Sequence, residues 1–184
     1  SLMGRRQLTI AAMRDQPKAG EVLLFWFGGP AERGKRQKRW FEKSDAFDRE
    51  IHGRFLTLYE AGFEGKLAAW QAEALPCLAL IVLLDQFPRN MFRGTPRAFA
   101  ADPLALNAAR HALAQGHDKQ MLPVERLFAY LPFEHSEALA DQVRSCELTK
   151  PLEAFAETAD VYRYAVPHRD IIQRFGRFPH RNAI

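Results

Sequence analysis

Residues 77–84, CLALIVLL, are apolar on every face a helix could present. Such a helix has no side to offer water, so it must lie at the centre with other elements packed around it. The run is the longest apolar stretch in the chain, and it is far too short for a bilayer span of about 20 residues. Pro76 suits the start of this helix and Pro88 its end. Asp85 and Gln86 fall in its last turn. An acid at a helix C-terminus opposes the macrodipole. Asp85 is therefore expected to hold a close cationic partner, an arginine from its own segment or from the C-terminal one.

The rest of the chain repeats the helical period and nowhere the strand period. Ser44 is a good N-cap, and Phe47, Ile51, Phe55, Leu58, Tyr59 and Gly62 follow at helical spacing. His52 sits beside that stripe and reads as a partly exposed helix histidine. A short apolar helix is expected over 21–27, ended by Gly28-Gly29-Pro30, and another helical piece over 67–70. Asp102-Pro103 reads as N-cap and first helical position, with a stop at Gly116. Pro123 starts a helix that Pro132 is expected to end, and Ser136 is expected to cap the next. The final helix is expected to run from about residue 151, kink near Pro167 and stop at Gly176. No sustained alternation and no Asn-Gly or Asp-Gly turn appears. The chain is thus predicted to be all-α, about eight or nine short helices joined by compact turns. Residues 1–16 are polar and irregular and are expected to fray; 17–184 form a single domain.

Bulk charge excludes some functions. Net charge is +4 and the pI about 9.3, mildly basic and below the profile of a dedicated nucleic-acid binder. The run Lys35, Arg36, Lys38 and Arg39 reads as a solvated face. Cys77 and Cys146 lie far apart in helical patterns with no CxxC, so two buried free thiols are expected. The N-terminus carries no apolar stretch of signal-peptide type. A soluble, cytoplasmic protein with no membrane partner is expected. There is no GxSxG, P-loop, GxGxxG, HExxH or DxDxDG pattern, and nothing calls for a cofactor or a metal.

What remains is a set of polar blocks beside apolar runs. Phe87-Pro88-Arg89-Asn90 recurs, nearly intact, as Phe178-Pro179-His180-Arg181-Asn182. The first block holds Asp85, Gln86, Arg89, Asn90, Arg93 and Arg97; its arginines lie four apart and would share a face if helical. The second holds Glu125, Glu134, His135, Glu137 and Asp141, where a histidine among carboxylates suits a general base or a bond to a backbone carbonyl at a capped helix start. The third holds His168, Arg169, Asp170, Arg174, Arg177, His180, Arg181 and Asn182. Its His-Arg-Asp is like a kinase catalytic loop, but the asparagine that loop requires would fall at Phe175. Charges beside apolar runs must be paired or must hold a ligand. Arginine forks match carboxylate and phosphate.

Three long segments carry a resemblance: LLDQFPRNMFRGTPRAFAADPLAL, ERLFAYLPFEHSEALADQ and HRDIIQRFGRFPHRNAI, with VLLFWFG before them. Over roughly residues 20–184 the chain resembles a bacterial family known only as a domain of unknown function, number 924. The resemblance implies a tetratricopeptide-like fold of antiparallel helices, and no established reaction, substrate or cofactor. The family's signature positions fall on Asp85, Gln86, Arg89, Asn90, Arg93, Gly94, His135, Ser136, Glu137, His168, Gly176, Arg177, His180, Arg181 and Asn182. It further implies a short acidic segment after the position of Ile184, which would supply another wall of a site.

These observations lead to three functional expectations. The first is a binding protein that takes an anionic small molecule or an acidic protein or peptide segment in an Arg/His-lined groove. Its site would be Asp85, Gln86, Arg89, Asn90, Arg93, His135, Glu137, His168, Arg177, His180 and Arg181. The second is a hydrolase with His135 or His168 as base and arginines clamping the anion. The third makes the polar blocks internal glue. Mutual burial would favour glue; convergence on an open pocket would favour binding or catalysis.

Overall fold

The computed structural model describes residues 14–183, with side chains as far as Arg181. Most of the expected frayed N-terminus, and the side chain of Asn182, lie outside those limits. Among the described residues there is no strand, and the fold is all-α. The α-helices are α1 (Pro17–Phe27), α2 (Asp45–Phe63), α3 (Ala74–Asp85), α4 (Phe87–Met91), α5 (Asp102–Ala114), α6 (Pro123–His135), α7 (Leu139–Thr149) and α8 (Val161–Phe175). Short 3-10 turns join several of them.

The apolar run behaves as its composition requires. Every residue of α3 is buried. Helices α1, α2, α5 and α6 pack against α3, which is how a helix without a polar face is satisfied. Trp26, Phe55, Phe87 and Phe128 fill the space between them, with Phe55 and Phe87 ring centroids 4.8 Å apart. A second layer forms from α7, which packs on α6 and α8.

Several boundaries differ from the sequence expectation, each for a local reason. Ser44 caps α2 as expected, its Oγ accepting from the Phe47 N–H at 3.2 Å. Asp102 is the first residue of α5 rather than its cap, because its carboxylate is taken by Arg89. Pro132 does not end α6. It forfeits the bond its own N–H would make to the Phe128 carbonyl, but the extra turn buries Phe133 and carries His135 to Asp85. Ser136 stands two residues before the N-cap position of α7; its Oγ accepts from Ala138 N and donates to Asp141. The last α-helix starts at Val161, and 3-10 turns occupy most of 150–158. It does stop at Gly176, whose φ of 70° is the left-handed conformation glycine supplies cheaply. Arg89, Arg93 and Arg97 share no helix face. α4 ends at Met91, and Gly94 at φ 80° turns the chain.

Candidate functional site

The C-terminal end of α3 is where the polar blocks meet. Asp85 is fully buried. His135 Nδ1 lies 2.8 Å from Asp85 Oδ1, and since a carboxylate only accepts, Nδ1 carries the proton. Gln86 Nε2 donates to Asp85 Oδ2 at 2.8 Å. Arg89 Nη1 is 3.6 Å from Asp85 Oδ1 and donates to the Asp85 backbone carbonyl at 2.7 Å. The expected arginine partner is thus present, and a histidine from another block stands closer. Burial alone would push the Asp85 carboxyl up. The charges of His135 and Arg89, with hydrogen bonds from His135 and Gln86, outweigh it and hold the group below the usual carboxylate range.

The two near-copies of the Phe-Pro phrase converge on the same partners. Phe87 and Phe178 are both buried. Arg89 forks onto Asp102 at 2.7 and 2.9 Å. Arg181 Nη2 is 3.9 Å from Asp102 and donates to the His135 carbonyl at 2.9 Å. Both guanidiniums lie near Phe99, at 5.4 and 4.9 Å from its ring centroid. Glu137 accepts from the Phe178 N–H at 2.8 Å and lies 3.7 Å from Arg181.

The remaining sequence candidates are distributed around this centre. Asn90 and Arg93 donate to Asp48 at 2.9 Å. Arg97 stacks on Phe92. Arg177 and His180 are exposed, and His180 is 5.9 Å from the Phe178 ring. Glu125, grouped with His135 by sequence, sits at the far end of α6, where it accepts from Leu122 N and pairs with Arg33. No cluster of His, Cys, Asp and Glu suited to a metal exists among the described residues.

An open groove lies on the α6–α8 side of the molecule. It measures about 350 Å³ and is lined by Phe41, Leu127, Leu131, Val161 and Tyr164, with Arg36 and Asp160 on one side and Glu134 and His168 in its polar lining. This is within the range of small-molecule sites, roughly 300–1,000 Å³. Phe41 and Tyr164 are more than half exposed. Arg36 is spent on Asp160, at 2.6 and 3.1 Å, and lies over the Phe41 ring at 4.5 Å. Glu134 is only 6% exposed, yet no hydrogen-bond donor reaches its carboxyl among the described residues. Its nearest cationic neighbour is His168, whose Nδ1 is 4.0 Å away and 2.6 Å from the Tyr164 carbonyl. That carbonyl can only accept, so it takes the Nδ1 proton. Burial pushes the Glu134 carboxyl up, and the charges of His168 and His135 offset it only in part.

Of the candidate positions, only His168 lines the groove. Glu134, Arg36, Phe41 and Tyr164 were outside the expected site. Glu134 stood in the second polar block beside His135, and a carboxylate next to Leu131-Pro132-Phe133 needs a reason to be there. Phe41 and Tyr164 gave none, because a lone aromatic does not announce whether it is covered.

The family described as "Bacterial protein of unknown function (DUF924)" matches residues 22–184. The chain belongs to that family. The chain is similar to a solved structure of a protein of unknown function from Agrobacterium tumefaciens, at 43% identity and a TM-score of 0.81. The match covers 91% of this chain and 89% of that one. No curated protein matches the chain. No helix among the described residues is long and apolar enough to cross a membrane.

Proposed function

We propose that this DUF924 chain is a binding protein whose ligand site is the α6–α8 groove. The ligand is a small molecule with an apolar body and one hydrogen-bonding head. The observation that carries this reading is the Glu134 carboxyl. A buried acid without a donor costs folding free energy, and it sits in the lining of an open apolar groove. Exposed Phe41 and Tyr164 give the body a surface to pack on.

The anionic-ligand expectation has weaker support. Arg89 spends its fork on Asp102 and its Nη1 also on Asp85, Arg181 points at the His135 carbonyl and Arg93 is held by Asp48. That pattern favours a lock that fixes the C-terminal segment to the ends of α3 and α6. A hydrolase reading has one observation in its favour, a carboxyl with raised pKa beside a histidine at a groove wall.

The test is an NMR titration of the labelled full chain with six-carbon compounds bearing different heads, on wild type and on Leu131→Trp, which fills the groove. Shifts confined to Leu127, Val161, Tyr164 and His168 in wild type and lost in the variant support the site. Shifts elsewhere, or shifts unchanged by filling, overturn it.

A further inference from the structure

The most buried polar group of the groove wall is an acceptor. The Glu134 carboxylate accepts only. His168 has committed its Nδ1 proton to the Tyr164 carbonyl, so in the neutral ring Nε2 is an acceptor too. The one guanidinium in the lining is neutralised by Asp160 in a two-bond fork. The donors left in the lining, the Tyr164 hydroxyl and the Arg36 N–H groups outside the fork, sit on partly exposed side chains, whereas the buried Glu134 carboxyl accepts from no donor among the described residues and its nearest cationic group, His168, is 4.0 Å away. Tyr164 adds an exposed ring, whose face attracts cations and repels anions, as the Phe41 ring already does with Arg36.

We infer that the groove selects a primary ammonium carried on an apolar chain, with the ammonium on Glu134 and the chain along Leu127, Leu131 and Val161. This rests on the groove being the binding site. An ammonium has three donors and no acceptor, the complement of the Glu134 carboxylate. An alcohol of the same length keeps the apolar contacts and loses the charge-assisted bond. A carboxylate meets Glu134 as a like charge, a costly pairing where water is scarce. The shared chemistry is an alkylammonium, free or on a lysine side chain.

The experiment titrates the full chain by NMR with hexylamine, hexanol, hexanoate and a capped tripeptide with a central lysine, at pH 7.5 and about pH 4.5. Hexylamine is expected to bind wild type at least about tenfold tighter than hexanol, as one charge-assisted hydrogen bond implies. Hexanoate is expected to bind weakest. In Glu134→Gln the preference for amine over alcohol collapses. In wild type it shrinks at the lower pH as Glu134 takes up its proton, ahead of an ordinary carboxylate. His168, His135, Asp85, Arg36 and Asp160 also face or border this carboxyl. The pH profile of Glu134→Gln reads their share separately. Binding of the peptide as well as hexylamine assigns the ammonium to a lysine side chain; binding of hexylamine alone assigns it to a small molecule. Equal affinity for hexylamine and hexanol in wild type would overturn the ammonium assignment and leave the groove standing. An amine preference that survives in Glu134→Gln would do the same. Silence from all four probes at the groove would remove both.

Discussion

Replacing Asp85 by alanine is expected to destabilise the fold by about 3–5 kcal/mol, the cost of breaking a buried charged pair from one side. The contacts give the same scale. Two hydrogen bonds of 2.8 Å reach this carboxylate, from His135 and Gln86, with Arg89 at 3.6 Å. Hydrogen bonds to charged groups contribute about 1.5–3 kcal/mol each, and the abandoned donors stay buried or half-buried. Arg89 keeps its fork on Asp102, which limits the loss. For a chain of this length about 2–4 °C of Tm accompanies each kcal/mol, so a fall of about 6–20 °C is expected. The assay is urea unfolding followed by far-UV circular dichroism, on Asp85→Ala, His135→Ala and the double variant. Because the pair is in direct contact, the double variant should lose less than the sum by about 0.5–3 kcal/mol. The sign with pH follows from the lowered carboxyl of Asp85. Its contribution is complete above the ordinary carboxylate range and is lost as pH falls through its lower folded value. A single-variant loss below about 1 kcal/mol, the scale of an exposed pair, or additivity in the double variant, would refute the network as described.

Leu80→Ala should cost about 2–5 kcal/mol in the same assay, because Leu80 is buried in the central helix; a loss within the range of surface substitutions would contradict that placement. Arg89→Lys should cost about 1.5–3 kcal/mol by giving up the fork on Asp102, whereas Arg93→Ala should cost at most about 1 kcal/mol, since the Arg93 side chain is 42% exposed. Equal losses at the two positions would count against this ranking. Glu134→Gln should raise stability at neutral pH, since the folded state raises this carboxyl and disfavours its charged form. The gain should shrink as pH falls through the folded value and vanish below the ordinary carboxylate range; a gain that grows towards acid would reverse the assignment.

How much of this was legible varies with the kind of signal. The central helix followed from residues 77–84 because burial on all sides is a local property of composition. The Ser44 cap and the Gly176 stop followed from chemistry within one turn. Boundaries failed where a distant partner outbid the local rule. Asp102 looks like an N-cap until Arg89, thirteen positions earlier, is placed beside it. Pro132 looks like a helix end until His135 is needed at Asp85, fifty positions away. The polar blocks were legible as blocks, and the recurrence of the Phe-Pro phrase did mark two segments that converge on Asp102 and Phe99. Which arginine would do so was not. The His inserted after Pro179 moves the arginine one place along, to Arg181, while Arg177, just before the phrase, is exposed. The groove was the least legible part, because its walls come from residues 36–41, α6, 160 and α8, none conspicuous alone.

The lock and the groove are two faces of one helix end. Glu134 and His135 are neighbours in sequence and therefore point about 100° apart around α6. His135 is held by Asp85 through its ring and by Arg181 through its carbonyl. Gln142 donates to the Glu134 and Ser136 carbonyls at 2.7 and 2.6 Å, tying the same turn to α7. With the backbone fixed on both sides of it, Glu134 keeps its carboxyl at the groove wall. The lock thus holds the acid at the groove wall where a flexible helix end could turn it away. On the proposed reading, the polar blocks support the groove from behind. It also yields a distinction between the two roles. Loosening the lock with His135→Ala should let the acid relax towards solvent and weaken amine binding, while Glu134→Gln should abolish the amine preference and leave the lock intact. If His135→Ala lowers stability but leaves amine affinity unchanged, the lock and the groove are independent.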